Sequence, residues 1–351
     1  MGVSSARAAA PARRIGVDLA RTAALVLMVI AHVAPGDGPG RILLVSEFLT
    51  APLFALLVGA GAQLGEDGAR PHRALRSLVR ALCLIVVGAV LARSSAQVVI
   101  VLVHLGVLTA LCIPLVRGRT RTLAGLLPLV LAAACLLPML HRAALAGAGA
   151  DTPIGALPVR ALALAGGEGP YRLAAMAACA LTGILLIRLL TSRPRGAGPV
   201  LLAGAGALGA FAALVIAPNL LGIFAVHAYG GTPAEITGDL AGAAGVLLLC
   251  WGAADLAPRA LGLLALPGTM SLSLYTGQVV VLHAYSVLAD GRRDDSWPML
   301  LGLLLAGALL VALWRRFAAR ATTARGPLEG LVGLAESAAL RLRSREGASA
   351  R

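Results

Sequence analysis

Long apolar runs extend along nearly the whole chain, separated by short polar stretches that are rich in glycine, proline and arginine. Each run is close to the roughly 20 residues that an α-helix needs to cross a bilayer. The runs lack the alternation of apolar and polar positions that membrane β-strands show, so helices are expected. The pattern predicts an all-α fold, a polytopic transmembrane helical bundle of about ten helices. The predicted spans are 15–35, 42–64, 75–93, 97–116, 122–140, 171–190, 198–218, 239–257, 266–289 and 297–314.

These spans divide the chain into three parts. Residues 1–14 form an N-terminal segment, residues 15–317 the membrane domain, and residues 318–351 a polar, arginine-rich tail. Residues 154–166 have mixed composition and fit a re-entrant or interfacial piece.

The tail has the pattern of a short amphipathic helix. Apolar residues recur there at helical spacing, at Leu331, Leu334, Ala338 and Leu342. Arg341, Arg343 and Arg345 are positioned to contact anionic lipid headgroups.

The charge distribution predicts the orientation of the bundle. The net charge is +14, and all 30 basic residues are arginines. If the N-terminus is cytoplasmic, 23 arginines fall on cytoplasmic segments and seven on the other side, as the positive-inside rule requires. Both termini are therefore expected in the cytoplasm. Aromatic residues make up only 3% of the chain, which argues against the stacking surfaces of a nucleic-acid-binding protein.

Two other interpretations of the composition carry less weight. Arg13 and Arg14 resemble the start of a signal peptide, but Asp18 and Arg21 would interrupt its apolar core and no A-x-A cleavage site follows. The five cysteines lie singly within apolar runs, so neither disulfides nor a metal site is expected.

The strongest catalytic candidates lie in the outer half of the bundle. Five of the six histidines fall there or in the outer loops: His32, His104, His141, His227 and His283. The short connection 35–41 makes a hairpin of the first two helices, which brings His32 and Glu47 to comparable depth. A carboxylate bound to one imidazole nitrogen would prepare the other as a general base. A purely structural buried pair is the equally weighted alternative.

The cytoplasmic half carries a second group of charged candidates. Asp18 and Arg21 are three residues apart and share a helix face. Arg76 and Arg80 lie one turn apart at the start of the third helix. Simple positive-inside anchoring explains the latter two well, but clustered guanidinium groups also suit the phosphates of a nucleotide-bearing donor.

The ninth span is unusually polar for a membrane helix. Ser271, Tyr275 and Gln278 share one face, and His283 follows. Such side chains face either neighbouring helices or a water-filled cavity, and the two alternatives stay open. In the second span, Gly59 and Gly61 favour close helix packing.

Four stretches resemble the superfamily of membrane acyltransferases, which includes the acyltransferase-three type and the heparan-alpha-glucosaminide N-acetyltransferase type. They are Arg14-x3-Asp18-x2-Arg21 before a helix that ends at His32, the run Thr50-Ala-Pro-Leu-Phe54-Ala-Leu-Leu-Val-Gly59-Ala-Gly-Ala, Gly268-Thr-Met-Ser-Leu-Ser-Leu-Tyr275, and Gly326-Pro-Leu-Glu329. The latter three are similar to a largely uncharacterised bacterial branch with a C-terminal Gly-Pro-Leu-Glu signature.

The resemblance implies an enzyme that moves an acyl group, usually acetyl from acetyl-CoA, to an acceptor hydroxyl or amine across the membrane. His32 matches the catalytic histidine of the acyltransferase-three type. We therefore expect His32 as general base or acyl carrier, Glu47 as its orienting partner, and Asp18, Arg21, Arg76 and Arg80 as donor contacts. His104, Ser271, Tyr275, Gln278 and His283 are expected to line the cavity. The donor substrate would be acyl-CoA, without a metal.

The expected location is a bacterial plasma membrane, because the lysine-free, arginine- and alanine-rich usage is typical of a high-GC genome. The expected partners are membrane lipids and a small-molecule or glycan acceptor, and a homodimer is left open. A transporter or exporter of a small metabolite, with the same polar groups along its path, is the alternative function. A membrane protein without catalytic activity is the third.

Overall fold

A computed structural model describes residues 4–36, 38, 43–67, 72–147, 160, 162–163, 166, 168–192, 195–318 and 325–349. These residues form helices and their connections. The helices are α1 (Ser4–Val33), α2 (Val45–Asp67), α3 (Arg73–Leu91), α4 (Leu102–Leu115), α5 (Thr120–Gly147), α6 (Leu173–Ser192), α7 (Ala197–Leu220), α8 (Pro233–Leu256), α9 (Pro258–Leu264), α10 (Ser271–Leu288), α11 (Trp297–Ala318) and α12 (Pro327–Ser349). A π-helical segment, Ala212–Ile216, interrupts α7 just before Pro218.

Within these residues, eight helices are long and apolar enough to cross a membrane. They are α1 from Ile15, α2, α3, α5, α6, α7, α8 and α11. The architecture is that of a multi-pass helical membrane protein, as the sequence predicts. The other two predicted spans correspond to α4, which has only 14 residues, and to the polar α10. Most of the predicted interfacial piece 154–166 lies outside the described residues.

Two helices begin earlier than the sequence pattern indicates. The first continues back to Ser4 through an alanine- and arginine-rich stretch, since these residues favour helix even outside a membrane. The eighth begins at Pro233 rather than near residue 239. Its start is a capping box, in which Thr232 and Glu235 each bond the other's backbone N–H.

The helices α2 and α6 approach each other closely at two glycines. A Cβ atom at Gly59 would lie 2.8 Å from the Cα of Ala180, and one at Gly183 would lie 2.9 Å from the backbone nitrogen of Ala60. Only glycine allows backbones to approach this closely. The expectation that Gly59 serves packing is confirmed. Gly61 instead leaves room for the guanidinium of Arg21. A Cβ atom added at Gly61 would lie 3.1 Å from a terminal nitrogen of that guanidinium.

The bundle has two ends, named here after residues of α1. At the Asp18 end, the backbone N–H of Gly268 donates to Thr22 Oγ1 over 2.9 Å, which fixes the start of α10 against α1. At the His32 end, α1 meets α10 again through Gln278. Asp18 and His32 are fourteen residues apart, or ~21 Å along the helix axis.

The tail helix α12 packs back onto the bundle at the Asp18 end. Glu329 of the Gly-Pro-Leu-Glu stretch accepts hydrogen bonds from the backbone N–H groups of Leu272 (2.7 Å) and Ser273 (3.1 Å). It also accepts one from the Ser273 hydroxyl. The carboxylate therefore caps the first turn of α10, where backbone N–H groups lack helical partners. This contact gives a structural role to Glu329.

Candidate functional site

His32 closes the last turn of α1 and is held from two directions. Its Nδ1 lies 3.0 Å from Nε2 of Gln278 on α10. Its backbone carbonyl accepts a 3.0 Å hydrogen bond from Gln97, whose amide also bonds Asp295. The orientation of the imidazole is therefore fixed from α10, and the backbone of His32 is held from the connection between α3 and α4.

A small internal cavity adjoins the imidazole. Its free volume of about 10 Å³ is the space of roughly one water molecule. The lining combines apolar side chains with hydroxyl and imidazole groups from six parts of the chain: Met28, Ala31, His32, Thr50, Ala51, Phe54, Val99, Val101, Tyr171, Tyr229 and Tyr275. The predicted residues His32 and Tyr275 thus line the same cavity. Gln278 does not line it but contacts the His32 imidazole.

Two of the three tyrosines are anchored to the connection that precedes α4. The Tyr171 hydroxyl donates to the carbonyl of Val99 over 2.9 Å, and the Tyr275 hydroxyl accepts from the N–H of Val101 over 3.2 Å. Burial raises the pKa of the Tyr171 phenol. The ring of His104 packs edge-on against Tyr171, with centroids 5.6 Å apart. His104 therefore supports the cavity wall from behind.

Tyr229 forms the outer wall of the cavity and is 39% exposed. Partial burial, reinforced by the negative charges of Glu47, Asp239 and Glu235, raises the pKa of its phenol to about 12. The hydroxyl is therefore protonated at neutral pH and can donate a hydrogen bond.

Arg172 fixes the segment that carries Tyr229. Its guanidinium donates to the Tyr229 carbonyl over 2.6 Å and lies 4.0 Å from the Glu235 carboxylate. Burial lowers the pKa of Arg172, and the charge of Glu235 opposes this shift. Gly231 adopts a positive φ of 69°, and a Cβ there would lie 2.8 Å from the guanidinium carbon of Arg172. The positive φ therefore favours glycine at position 231, and an added Cβ would displace the Arg172 guanidinium.

The expected His32–Glu47 pair is not formed among the described residues. Gln278 contacts the imidazole instead, and Glu47 belongs to the group of carboxylates around Tyr229. The short hairpin does bring Glu47 to the His32 end, where its negative charge acts on the Tyr229 phenol. Gln278 is thus the residue that orients His32.

At the Asp18 end, the expected donor residues are divided between two contacts. Asp18 and Arg21 form an ion pair of 2.6 Å. Arg76 and Arg80 both lie beside Glu336 of α12, at 3.7 Å and 3.2 Å. The Glu336 side chain is only 8% exposed. A carboxylate of the chain itself therefore occupies the position that the sequence assigns to phosphates.

Two of the expected cavity residues lie elsewhere. Ser271 is the first residue of α10, at the Asp18 end and away from the cavity lining. His283 lies beyond Gln278 on α10 and bonds Ser95, in a separate surface groove. Among the described residues, no group of three or more His, Cys, Asp or Glu side chains is placed to hold a metal ion.

The sequence pattern missed several residues of the site. In the structure, all four lie in connections between helices: Gln97, Tyr171, Arg172 and Tyr229. The sequence pattern had placed the first three at the start of the predicted spans 97–116 and 171–190 and gave them no role. The signal that could have located the Tyr229 loop was the capping sequence Thr232-Pro-Ala-Glu235.

No protein-family model, no curated protein and no solved structure matches this chain.

Proposed function

We propose that the protein is an integral-membrane acyltransferase. It would move an acyl group, acetyl by the resemblance of its sequence motifs, from cytoplasmic acyl-CoA to an acceptor hydroxyl or amine at the outer side. The observation that carries this proposal is His32, a histidine held by Gln278 on the wall of a tyrosine-lined cavity. The same helix bears the Asp18–Arg21 pair at its opposite end.

Gln278 is suited to position His32 in either tautomer. In the structure, the amide N–H₂ of Gln278 faces His32 Nδ1 and donates to it when Nδ1 is unprotonated. If the amide turned by 180°, its Oε1 would accept from a protonated His32 Nδ1. Within the described part of the chain, Gln278 Oε1 is buried and has no other hydrogen-bond partner. The half-turn leaves His32 Nε2 with a free lone pair, as a base or nucleophile requires.

As a general base, His32 Nε2 would take the proton from the acceptor while the acceptor oxygen or nitrogen attacks the thioester carbonyl. The C–S bond then breaks, and the leaving thiolate takes the proton back from the imidazolium. As an acyl carrier, Nε2 itself would attack the carbonyl and release the thiolate. The acceptor would then displace the acyl group from the imidazole, and its proton would pass to the freed Nε2 and from there to the thiolate. The protonated Tyr229 could donate a hydrogen bond to the oxyanion in either case.

The donor would approach from the Asp18 end. Arg76 and Arg80 offer two guanidinium groups to phosphates, and the Arg76 Nε is buried without a partner among the described residues. Glu336 would have to give way to them. Transfer also requires the acyl-bearing arm of the donor to enter the bundle from this end, because ~21 Å separates Asp18 from His32.

The arginine distribution supports the orientation of this scheme, with the Asp18 end and both termini cytoplasmic in a bacterial plasma membrane. Membrane lipids and a small-molecule or glycan acceptor would be the partners, and a second copy of the chain is a further candidate.

The direct test measures acetyl-CoA turnover by purified protein in detergent. We expect release of free CoA thiol by the unaltered protein and its loss in His32→Ala. The matched control is His227→Ala, since His227 is an exposed histidine at the same end. Equal turnover in His32→Ala and His227→Ala, or no acetyl-CoA binding at all, would refute the assignment.

A transporter is the second candidate, and one observation favours it. Asp239 lies within the spanning helix α8, and among the described residues its buried Oδ1 has no hydrogen-bond partner. Carboxylates at such positions often belong to proton or ion pathways. Flux of a metabolite that depends on Asp239, and not on His32, would establish this function in place of the acyltransferase.

A further inference from the structure

A lateral groove lies between the C-terminal end of α3 and the second half of α10. It is lined by Val90, Leu91, Arg93, Ser94, Val279, Val280 and His283 and has a volume of about 250 Å³. Val90 is 61% exposed and Val280 is 52% exposed. In a membrane bundle, an outward-facing apolar groove of this kind faces lipid chains.

The polar groups of the groove are gathered at one end. Arg93 follows the last residue of α3 by two positions, and His283 lies five residues before the end of α10. Both therefore lie near the level at which the His32 end of the bundle leaves the membrane. The groove has an apolar floor at membrane depth and a cationic rim at the level of lipid headgroups.

The protonation of His283 follows from its contacts. The backbone N–H of Ser95 donates to His283 Nδ1 over 3.1 Å, and the Ser95 hydroxyl lies 2.9 Å from the same atom. A backbone N–H can only donate, so Nδ1 is unprotonated while this bond holds. The ring proton is then on Nε2, which leaves an N–H donor for a ligand in the groove.

The charge of Arg93 is also available. Among the ion pairs of the described residues, Arg93 has no acidic partner. In the segment after α10, the Asp295 carboxylate accepts a hydrogen bond from Gln97. Within the described part of the chain, the rim therefore presents a guanidinium without an ion-pair partner, together with an imidazole N–H.

We propose that this groove binds an anionic phospholipid of the surrounding membrane. The headgroup phosphate would accept hydrogen bonds from Arg93 and from the Nε2–H of His283, and one acyl chain would lie along Val90 and Val280. Charge complementarity at the rim and apolar surface below it select this ligand over a free phosphate ion. The site is separate from the His32 cavity and does not depend on the acyltransferase function.

Native mass spectrometry of the purified protein, titrated with dioleoyl phosphatidylglycerol, tests this site. We expect preferential binding of this lipid over dioleoyl phosphatidylcholine. Arg93→Gln should weaken the tightest binding event roughly fivefold, the effect of one arginine beside an anionic lipid. The matched control is Arg292→Gln, which removes the same charge from an exposed position at the same end.

A second variant tests the apolar floor without changing charge. Val280→Trp should fill the groove and weaken phosphatidylglycerol binding, while the melting temperature reports that the bundle remains folded. An equal loss of binding in Arg93→Gln and Arg292→Gln would show diffuse surface attraction and overturn the proposal. So would unchanged binding in a folded Val280→Trp.

Discussion

His32 at the end of α1 and Gln278 in the middle of α10 are joined by a 3.0 Å contact between the imidazole Nδ1 and the amide Nε2. The two helices also meet at the Asp18 end, where Thr22 accepts from Gly268. The imidazole is therefore positioned by helix packing at two levels, and the connection between α3 and α4 adds the contact of Gln97 with the His32 carbonyl. A site supported in this way keeps its geometry without rearrangement.

Removing the amide should impair turnover without impairing donor binding. We expect Gln278→Ala to lower kcat for acetyl-CoA about tenfold with little change in KM, because misorienting a base costs part of its contribution. Gln278→Glu retains an acceptor and should retain more activity than the alanine variant. The control is Thr276→Val on the same helix, since the buried Thr276 hydroxyl has no partner in the described part of the chain. An equal loss of activity in Gln278→Ala and in the control would assign the effect to helix packing.

Neutralising Glu336 should strengthen the binding of acyl-CoA. Glu336→Gln removes the carboxylate that lies beside Arg76 and Arg80, so both guanidinium groups become available to phosphates. We expect KM for acetyl-CoA to fall several-fold, with kcat unchanged, and the effect to shrink at high salt. A raised KM would indicate that the ion pairs only hold α12 in place. In that case, Arg76 and Arg80 would not be donor contacts.

The glycine contact between α2 and α6 predicts two opposite results on one helix. Gly59→Ala should destabilise the bundle by about 1–3 kcal/mol, since its methyl group would overlap the backbone of Ala180. At Gly65, no described atom lies within 4 Å of an added Cβ, so Gly65→Ala should be neutral or stabilising by up to about 1 kcal/mol. Thermal unfolding in detergent measures both. Equal effects would contradict the close approach.

The carboxylates near Tyr229 predict a shifted phenol titration. The phenolate absorbance of Tyr229 is the difference between the ultraviolet titrations of the unaltered protein and of Tyr229→Phe. Its midpoint should lie near pH 12, and Glu47→Gln should lower this midpoint. The phenol ionises near pH 10 when unfolded, so this group stabilises the fold below about pH 10. That contribution is lost as the pH rises through about 12. A midpoint unaffected by Glu47→Gln would place Glu47 away from the phenol.

The sequence was most informative where the chain is helical and in contact with lipid. Apolar runs predicted the spanning helices, and helical spacing placed Tyr275 and Gln278 on the face of α10 that reaches the His32 cavity. Gly59 was correctly assigned to packing. These features depend on local periodicity, which hydrophobic positions express directly.

The pattern was less informative about which polar groups pair. Depth alone favoured His32 with Glu47, but depth does not determine which side chains meet, and in the structure Gln278 contacts the His32 imidazole. Arg76 and Arg80 pair with Glu336. Arg80 and Glu336 are 256 residues apart in the sequence, so no pattern of neighbouring residues predicts this partner. Tyr171 and Tyr229 reach the cavity from connections, whose course depends on tertiary contacts such as Arg172 with Tyr229.

The most direct measurement follows an acetyl label across the membrane. Proteoliposomes of uniform orientation would receive labelled acetyl-CoA only at the Asp18 side and a mixture of hydroxyl and amine acceptors at the other. The acetyl label should appear on an acceptor in the opposite compartment, while CoA stays where it was supplied, and His32→Ala should abolish the transfer while His227→Ala does not. Label confined to the donor side, or transfer that survives in His32→Ala, would contradict a cross-membrane acyltransferase centred on His32.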